Sequence, residues 1–148
     1  VAQAEELGLS PAKVSTLASI VEEECTFTDE YPVVAGLYLN RLRSGQALQA
    51  DPTVKFAVGD FSLRRILNKH LETDSPYNTY MHTGLPPGPI RIPSIKGIDS
   101  VLNYTKSDYL YMCAKEDFSG RHNFANTYAE HQKNAARYRN ALNARGIY

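Results

Sequence analysis

The sequence has few of the residues and patterns that mark metal or redox proteins. Its two cysteines, Cys25 and Cys113, form no CxxC pair or zinc spacing, and we interpret them as free buried thiols, with a disulfide as the alternative. The four histidines show neither an HExxH motif nor a paired i, i+4 spacing. No metal site is therefore expected.

Net charge and long apolar runs are missing as well. Sixteen Lys and Arg residues balance sixteen Asp and Glu residues, so the basic excess that binding to a phosphate backbone requires is absent and no nucleic-acid partner is expected. No apolar run approaches the roughly 18 to 20 residues that span a bilayer, and the first ten residues do not form a signal peptide. The chain begins with Val1 rather than Met, so we expect any targeting segment to lie upstream of it.

The composition is that of one globular domain. The chain has 148 residues, of which 43% are hydrophobic and 22% are charged. These values are typical of a soluble domain with a single core, and they exclude a disordered, collagen-like or coiled-coil chain.

Capping residues and apolar spacing predict helices along most of the chain. Ser10 as N-cap and Pro11 after it predict a helix that ends at Cys25, and Thr28 or Asp29 is predicted to cap a second helix that Gly45 ends. Further helices are predicted over 50–60 with Asp51 or its neighbour as cap, 61–71 with Ser62 as cap, and 94–103. A closing helix starts from a capping box of Thr127 and Glu130, and its predicted core stripe comprises Tyr128, His131, Ala135, Tyr138 and Leu142.

Two other segments are not helical. Residues 73–93 contain five prolines and two glycines, which exclude a long regular element, but their apolar side chains favour an ordered loop that packs over the domain or lines a groove. Residues 108–116 and 121–125 are predicted to form a hairpin around Gly120, with His122 and Phe124 on one side of their strand.

The most informative local feature is the run Glu22, Glu23 and Glu24 at the end of the first helix. At 100° per residue these carboxylates cannot all face solvent, and Glu24 falls within the apolar stripe while Glu23 lies nearly opposite. Burial on an apolar face is the condition under which a carboxyl group keeps its proton near neutral pH and acts as a general acid. The alternative is a structural carboxylate paired with Arg41 or Arg43.

Polar residues in two loops favour a carbohydrate groove. Tyrosine rings stack on the apolar faces of sugars, and amides and carboxylates bond sugar hydroxyls. The residues concerned are Gln49, Asp51, Tyr77, Asn78 and Tyr80. Tyrosines at such positions are also common in cores, and Asp51 is as easily a helix cap as a ligand.

Five segments, in this order and spacing, resemble the catalytic domain of the YceG-like family of bacterial endolytic murein transglycosylases, also called MltG. The segments are LASIVEEE (17–24), VAGLYLNRLRSGQALQADPTV (34–54), SPYNTYMHTGLPPGPI (75–90), YLYMCAK (109–115) and HNFANTYAEH (122–131). The resemblance covers almost the whole chain. It implies a lyase without cofactor or metal that cleaves the β-1,4 bond between MurNAc and GlcNAc within nascent glycan strands, leaving 1,6-anhydroMurNAc ends and terminating strand elongation.

The resemblance also implies roles for particular residues. The family's catalytic glutamate, the second Glu of an I-[IV]-E-x-E string, falls on Glu24. The positions that hold substrate or organise the groove fall on Asn40, Gln49, Asp51, Tyr77, Asn78 and Thr79, and His122 matches the family's H-x-F beside the site. Cys25 departs from the pattern, since relatives often carry Thr there, so a hydroxyl bond to Glu24 would be weakened.

The resemblance further implies a setting. The family usually carries an N-terminal transmembrane helix and a LysM-like region, which we expect upstream of this chain, so residues 1–148 correspond to the catalytic domain. The expected address is periplasmic or extracytoplasmic, with an inner-membrane anchor in the full-length protein. The expected partners are peptidoglycan glycan strands and cell-wall synthases.

We therefore expect an α+β, helix-rich single domain with a small antiparallel β-sheet or hairpin and a lysozyme-like active-site helix that carries Glu24. One alternative function is a two-carboxylate muramidase, a hydrolase that uses Glu24 and Asp51. The other is a noncatalytic glycan-binding module within cell-wall synthesis.

Overall fold

Helices dominate the computed structural model, which describes residues 8–60 and 68–146, and a two-stranded antiparallel sheet accompanies them. This confirms the predicted α+β class. In chain order the elements are α1 (Pro11–Glu24), a 3₁₀ turn (Thr28–Glu30), α2 (Tyr31–Ser44), α3 (Asp51–Val58), α4 (Asn68–Leu71), α5 (Ile95–Leu102), β1 (Tyr111–Ala114), β2 (His122–Ala125) and α6 (Tyr128–Ala144). None of the described helices is long and apolar enough to cross a membrane.

Local capping sets most of the helix boundaries. The Ser10 hydroxyl accepts a hydrogen bond from the Lys13 N–H at the start of α1, and the Thr127 hydroxyl accepts one from the Glu130 N–H at the start of α6. Gly45 ends α2 with φ of +75°, a left-handed conformation that favours glycine. These boundaries confirm the predictions made from the cap residues.

The predicted cap of α2 is wrong. Thr28 and Asp29 form a 3₁₀ turn with Glu30, and Glu30 occupies the cap position without a side-chain hydrogen bond to the helix. The physical reason is that the Glu30 carboxylate is bonded to His122 on β2 instead.

The predicted helix over 50–60 is observed as α3, and Ala50, the neighbour of Asp51, occupies the cap position. Of the predicted helix over 61–71, the part 61–67 lies outside the described residues and the rest forms α4. The predicted hairpin is confirmed with shorter strands, in which Met112 pairs with Phe124 and Ala114 pairs with His122. The rings of His122 and Phe124 lie 6.1 Å apart, as expected for neighbours on one side of a strand.

The core lies between α1, α2 and α5. Leu17, Val21, Val34 and Val101 are completely buried there. A Cβ atom at Gly36 on α2 would lie 2.2 Å from the Thr105 carbonyl oxygen, so only glycine allows the chain after α5 to approach α2 this closely.

The core stripe predicted for α6 is wrong in part. Leu142 is buried, but Tyr128 is 59% exposed, and the other buried residue of this helix is Asn134, which lies off the stripe. The reason is that α6 packs against the small β-sheet rather than against the main core, so the ring of His131 stacks on Tyr111 of β1, 5.2 Å away.

Glu22 connects α1 to α5. Its side chain is buried, and both of its carboxylate oxygens accept the Ser94 backbone N–H at 3.0 Å, while the Ser94 hydroxyl also donates to it. The carboxylate therefore supports the residue that caps α5 and lies at the positive end of that helix. A Cβ atom at Gly97 would lie 2.6 Å from the Glu22 carboxyl carbon, so α5 makes room for this contact.

We predict that Glu22→Ala lowers the free energy of unfolding by about 2–3 kcal/mol, because it leaves a part-buried N–H without its charged acceptor. Glu23→Ala is the matched control: Glu23 forms a half-exposed ion pair with Arg91, and its removal should change stability by less than about 1 kcal/mol. Urea unfolding of both variants measures the difference. Equal effects would contradict the assigned role of Glu22.

Candidate active site

The three consecutive glutamates have three different surroundings. Glu22 is buried against α5, Glu23 pairs with Arg91, and Glu24 faces a cleft with 18% of its side chain exposed. The expectation that Glu24 is the inward carboxylate therefore needs correction, because Glu22 is the more deeply buried. Glu24 lies at the boundary between the core and the cleft, where a carboxyl group is both partly desolvated and accessible to a ligand.

The cleft beside Glu24 has a volume of about 600 Å³. One wall contains Glu24, Gln49, Asp51 and Tyr80. The opposite wall comes from β1 and α6 and includes Met112, Cys113, Ala114, His131, Tyr138 and Arg139. Its lining is mixed polar and apolar, as is typical of ligand-binding clefts.

Thr79 holds the wall that carries Gln49 and Asp51. Its hydroxyl accepts the Ala50 N–H at 2.9 Å and is 2.8 Å from the Thr53 hydroxyl, and its carbonyl accepts the Gln49 N–H at 3.3 Å. Gln49 has φ of +51°, a conformation that few residues other than glycine adopt. These bonds keep Gln49 and Asp51 at the cleft although Thr79 itself is buried.

Two of the predicted site asparagines lie in the supporting structure. Asn78 is completely buried, its amide donates to the carbonyls of Leu71 and Thr73, and its side-chain oxygen accepts the Tyr80 N–H. The Asn40 amide donates to two carbonyls in the segment before β1, those of Ser107 and Tyr109, at 2.9 Å each. Their contacts fit residues that organise the groove.

Tyr77 also packs behind the cleft. Its ring lies 4.7 Å from the ring of Phe56 on α3. The structure therefore brings together Glu24, Gln49 and Asp51 around the cleft, and it places Asn40, Tyr77, Asn78 and Thr79 in the framework around it. The loop over 73–93 is ordered by these contacts, as predicted.

The surroundings of Asp51 disfavour the charged form of its carboxyl group. Burial, and then the charge of Glu24, raise its pKa to about 6, although a hydrogen bond from the Tyr80 hydroxyl at 2.6 Å and the charge of Lys55 act in the opposite direction. Groups with perturbed proton affinity in a cleft are typical of functional sites.

His122 connects Glu24 to a second carboxylate. Its Nε2 lies 3.4 Å from Glu24 Oε1, and its Nδ1 lies 2.9 Å from Glu30 Oε1. Burial lowers the pKa of His122, but hydrogen bonds and charges from Glu24 and then Glu30 outweigh this effect, so the pKa is raised above its ordinary value. The ring is buried and lies beside Glu24.

The alternative that Glu24 pairs with Arg41 or Arg43 is wrong. Arg41 donates to the carbonyls of Leu110 and Ala47, and Arg43 donates to the Tyr104 hydroxyl. Within the part of the chain that the structure describes, the ionisable partner of Glu24 is His122.

Sequence reasoning did not find Glu30 or Tyr38. Glu30 lies in a segment where the sequence indicates only the start of a helix. Tyr38 belongs to the apolar stripe of α2, but its buried hydroxyl has no hydrogen-bond partner among the described residues, and it lines the cleft. A buried hydroxyl without a partner is a feature that no local pattern could indicate.

Both cysteines are free thiols, as predicted; Cys25 is buried and Cys113 is half-buried. Burial is the main cause that raises the pKa of each thiol. Within residues 8–60 and 68–146, no group of three or more His, Cys, Asp or Glu side chains could hold a metal ion.

The sequence also matches a known protein family. The model of the YceG-like family matches residues 1–137. The chain belongs to the YceG-like family. The resemblance inferred from the five sequence segments is thereby confirmed.

This YceG-like domain is similar to proteins of several bacteria. The endolytic murein transglycosylase of Bacillus subtilis (strain 168) is 42% identical over 135 residues, which are 91% of this chain and 37% of the relative. That of Streptococcus pneumoniae serotype 2 (strain D39 / NCTC 7466) is 36% identical over 137 residues, 90% of this chain and 25% of the relative. The crystal structure of a yceG-like protein from Listeria monocytogenes has a TM-score of 0.82 and 39% identity, over 89% of this chain and 42% of that one. The chain thus spans between 25% and 42% of the length of these proteins.

We predict that Asp51→Asn stabilises this YceG-like domain at neutral pH. The Asp51 carboxyl holds its proton more tightly in the folded than in the unfolded chain, so stability falls as the pH rises from about 4 through about 6. The asparagine variant should therefore be about 1–3 kcal/mol more stable than the parent at pH 7.5 and nearly equal to it at pH 4.

Urea unfolding at the two pH values measures this effect. Asp108→Asn, at an exposed position, is the control and should show no such pH-dependent gain. A stability loss for Asp51→Asn at pH 7.5 would mean that the charge of Asp51 is compensated in the folded protein.

Proposed function

We propose that this domain is the catalytic portion of an endolytic murein transglycosylase, which cleaves the β-1,4 bond between MurNAc and GlcNAc within nascent glycan strands. It leaves 1,6-anhydroMurNAc ends and so terminates strand elongation. The observation that carries the proposal is the placement of Glu24, partly exposed on the wall of a cleft of about 600 Å³ and 3.4 Å from the ring of His122 behind it. The names of the relatives in Bacillus subtilis and Streptococcus pneumoniae support the substrate.

In the proposed mechanism, Glu24 acts first as acid and then as base. Its carboxyl group donates a proton to the glycosidic oxygen, and the bond from that oxygen to C1 of MurNAc breaks. The 6-hydroxyl oxygen of the same MurNAc then attacks C1, and the Glu24 carboxylate takes the hydroxyl proton. The ring closes as a 1,6-anhydro sugar, Glu24 regains its proton, and no water is consumed.

The remaining site residues hold the glycan in place for this reaction. Gln49 and Asp51 lie on the same wall as Glu24 and are positioned to bond sugar hydroxyls. Tyr77, Asn78 and Thr79 keep that wall in place, Asn40 ties α2 to the segment before β1, and His122 contacts Glu24 from behind. Precise placement of a substrate against one acid accounts for a large share of the rate in such reactions.

A two-carboxylate hydrolase is the second candidate. It is favoured by one observation: Asp51 lines the same cleft as Glu24 and responds to its charge. A hydrolase would use Asp51 as nucleophile or as the base that activates water, with the two carboxyl groups about 5 to 9.5 Å apart. The chain ends separate the two reactions, because hydrolysis leaves a reducing end.

We infer that the protein acts on peptidoglycan outside the cytoplasm, in the periplasmic or extracytoplasmic space. Glycan strands are then its direct partner, and cell-wall synthases, which make those strands, are the proposed protein partners. An inner-membrane anchor upstream of this chain would keep it near them.

We predict that Glu24→Gln abolishes the formation of anhydro ends on un-crosslinked peptidoglycan strands, since the amide can neither donate nor accept the catalytic proton. The expected loss is at least about 100-fold, the lower range for a general acid or base. Mass spectrometry of the new chain ends measures it, and thermal unfolding checks that the variant is folded.

Glu130→Gln, an exposed substitution on α6, is the matched control and should retain full activity. Reducing ends in place of anhydro ends would favour the hydrolase and would make Asp51→Asn the decisive variant. Binding of strands without cleavage, unaltered in Glu24→Gln, would favour a glycan-binding module.

A further inference from the structure

We propose that Glu30 is a positioning residue for the catalytic acid: through His122, it holds the proton that Glu24 uses. This inference rests on the proposed function, because it assigns the support of the same glutamate. It adds a residue that lies on the 3₁₀ turn, outside the cleft.

The contact between Glu30 and His122 has two points of attachment. Glu30 Oε1 lies 2.9 Å from the ring Nδ1, and Glu30 Oε2 accepts the backbone N–H of His122 at 3.1 Å. One carboxylate thus fixes both the backbone position and the ring orientation of His122. Both side chains are buried, with 10% of Glu30 and 6% of His122 exposed.

The contact with Glu30 indicates which ring nitrogen of His122 carries a permanent hydrogen. Since the Glu30 carboxylate only accepts hydrogen bonds, Nδ1 of His122 carries a hydrogen and donates it. The other nitrogen, Nε2, faces Glu24 Oε1 at 3.4 Å. A carboxylate on the far side of a histidine stabilises the positive charge that develops when Nε2 gains a proton, as in the Ser-His-Asp arrangement.

Glu30 makes this contact in preference to a local one. It occupies the cap position of α2, yet its side chain makes no hydrogen bond to that helix. A side-chain cap stabilises a helix, and a buried carboxylate is unfavourable unless it is paired. The pairing with His122, 92 residues along the chain, offsets both effects.

Among the residues that the structure describes, Glu24 and Glu30 are the charged neighbours of His122. Burial and the nearby carboxylates raise the pKa of the Cys25 thiol, so Cys25 is neutral beside them. Arg121, which precedes His122, forms an exposed ion pair with Asp29. From its own strand, His122 faces the uncharged ring of Phe124.

In the proposed arrangement, one proton lies between His122 Nε2 and Glu24 Oε1, which are 3.4 Å apart. In the reaction this proton leaves from Glu24 to the glycosidic oxygen, and the proton of the MurNAc 6-hydroxyl replaces it. The Nδ1 hydrogen remains on His122, bonded to Glu30, throughout. Loss of the Glu30 charge would make the shared proton leave at lower pH, so the catalytically competent form would persist over a narrower pH range.

The decisive experiment compares Glu30→Gln with the parent over a range of pH. We expect kcat to fall about 10-fold or more with little change in KM, because the substrate does not touch Glu30, and we expect the high-pH limb of kcat/KM to move to lower pH. Glu30→Asp, which keeps the charge, should restore the limb toward its original position. Asp29→Asn is the matched control, since it removes the adjacent carboxylate from an exposed pair and should leave the profile unchanged.

A second measurement does not depend on activity. Nitrogen NMR of the histidine rings, with His122 identified by the loss of its signals in His122→Asn, should find Nδ1 protonated and a titration midpoint above that of an ordinary histidine. Glu30→Gln should lower this midpoint. If the parent made no anhydro ends, the proposed function would fail while the NMR result still tested Glu30.

Three results would overturn the inference. The first is an unaltered pH profile and kcat in a folded Glu30→Gln variant, which would mean that Glu30 only stabilises the fold. The second is a shift of the high-pH limb of kcat/KM in Asp29→Asn that equals the shift in Glu30→Gln. The third, which needs no variant of Glu30 to fold, is a parent protein in which the neutral His122 ring carries its hydrogen on Nε2.

Discussion

The structure depends on how the last turn of α1 accommodates three carboxylates in a row. A helix turns by 100° per residue, so consecutive side chains point in three directions, and here each direction offers different surroundings. Glu22 meets the N-terminus of α5, Glu23 meets Arg91 at the surface, and Glu24 meets the cleft and His122. The end of α1 is anchored to the core by Glu22, and this anchor fixes where Glu24 points.

The proline-rich segment before α5 has a related role. Its prolines prevent regular secondary structure, so few backbone groups can bond to one another. Polar side chains form hydrogen bonds with these backbone groups instead. Asn78 bonds the backbone on both sides of itself, and Thr79 bonds the backbone at Ala50. An irregular loop thereby becomes a rigid support for the cleft wall that carries Gln49 and Asp51, as a preorganised binding site requires.

The parts of the fold that sequence analysis predicted are those with local causes. Ser10, Gly45, Ser94 and Thr127 set helix ends through contacts within a few residues, and the alternation around Gly120 indicated the hairpin. The errors have nonlocal causes. Glu30 does not cap α2 because His122 competes for its carboxylate, and Tyr128 is exposed because the partner of α6 is a narrow sheet.

The sequence by itself determined the family, the fold class and the segment that carries Glu24. Motifs, helix caps and hydrophobic periodicity depend on residues close together in the chain, so they can be recognised without the tertiary structure. Only the tertiary structure decided which glutamate is buried and which faces the cleft. Ser94 lies 72 residues from Glu22, and His122 lies 92 residues from Glu30. Such contacts arise from the packing of whole elements, and a buried charge takes whichever partner that packing places within hydrogen-bond distance.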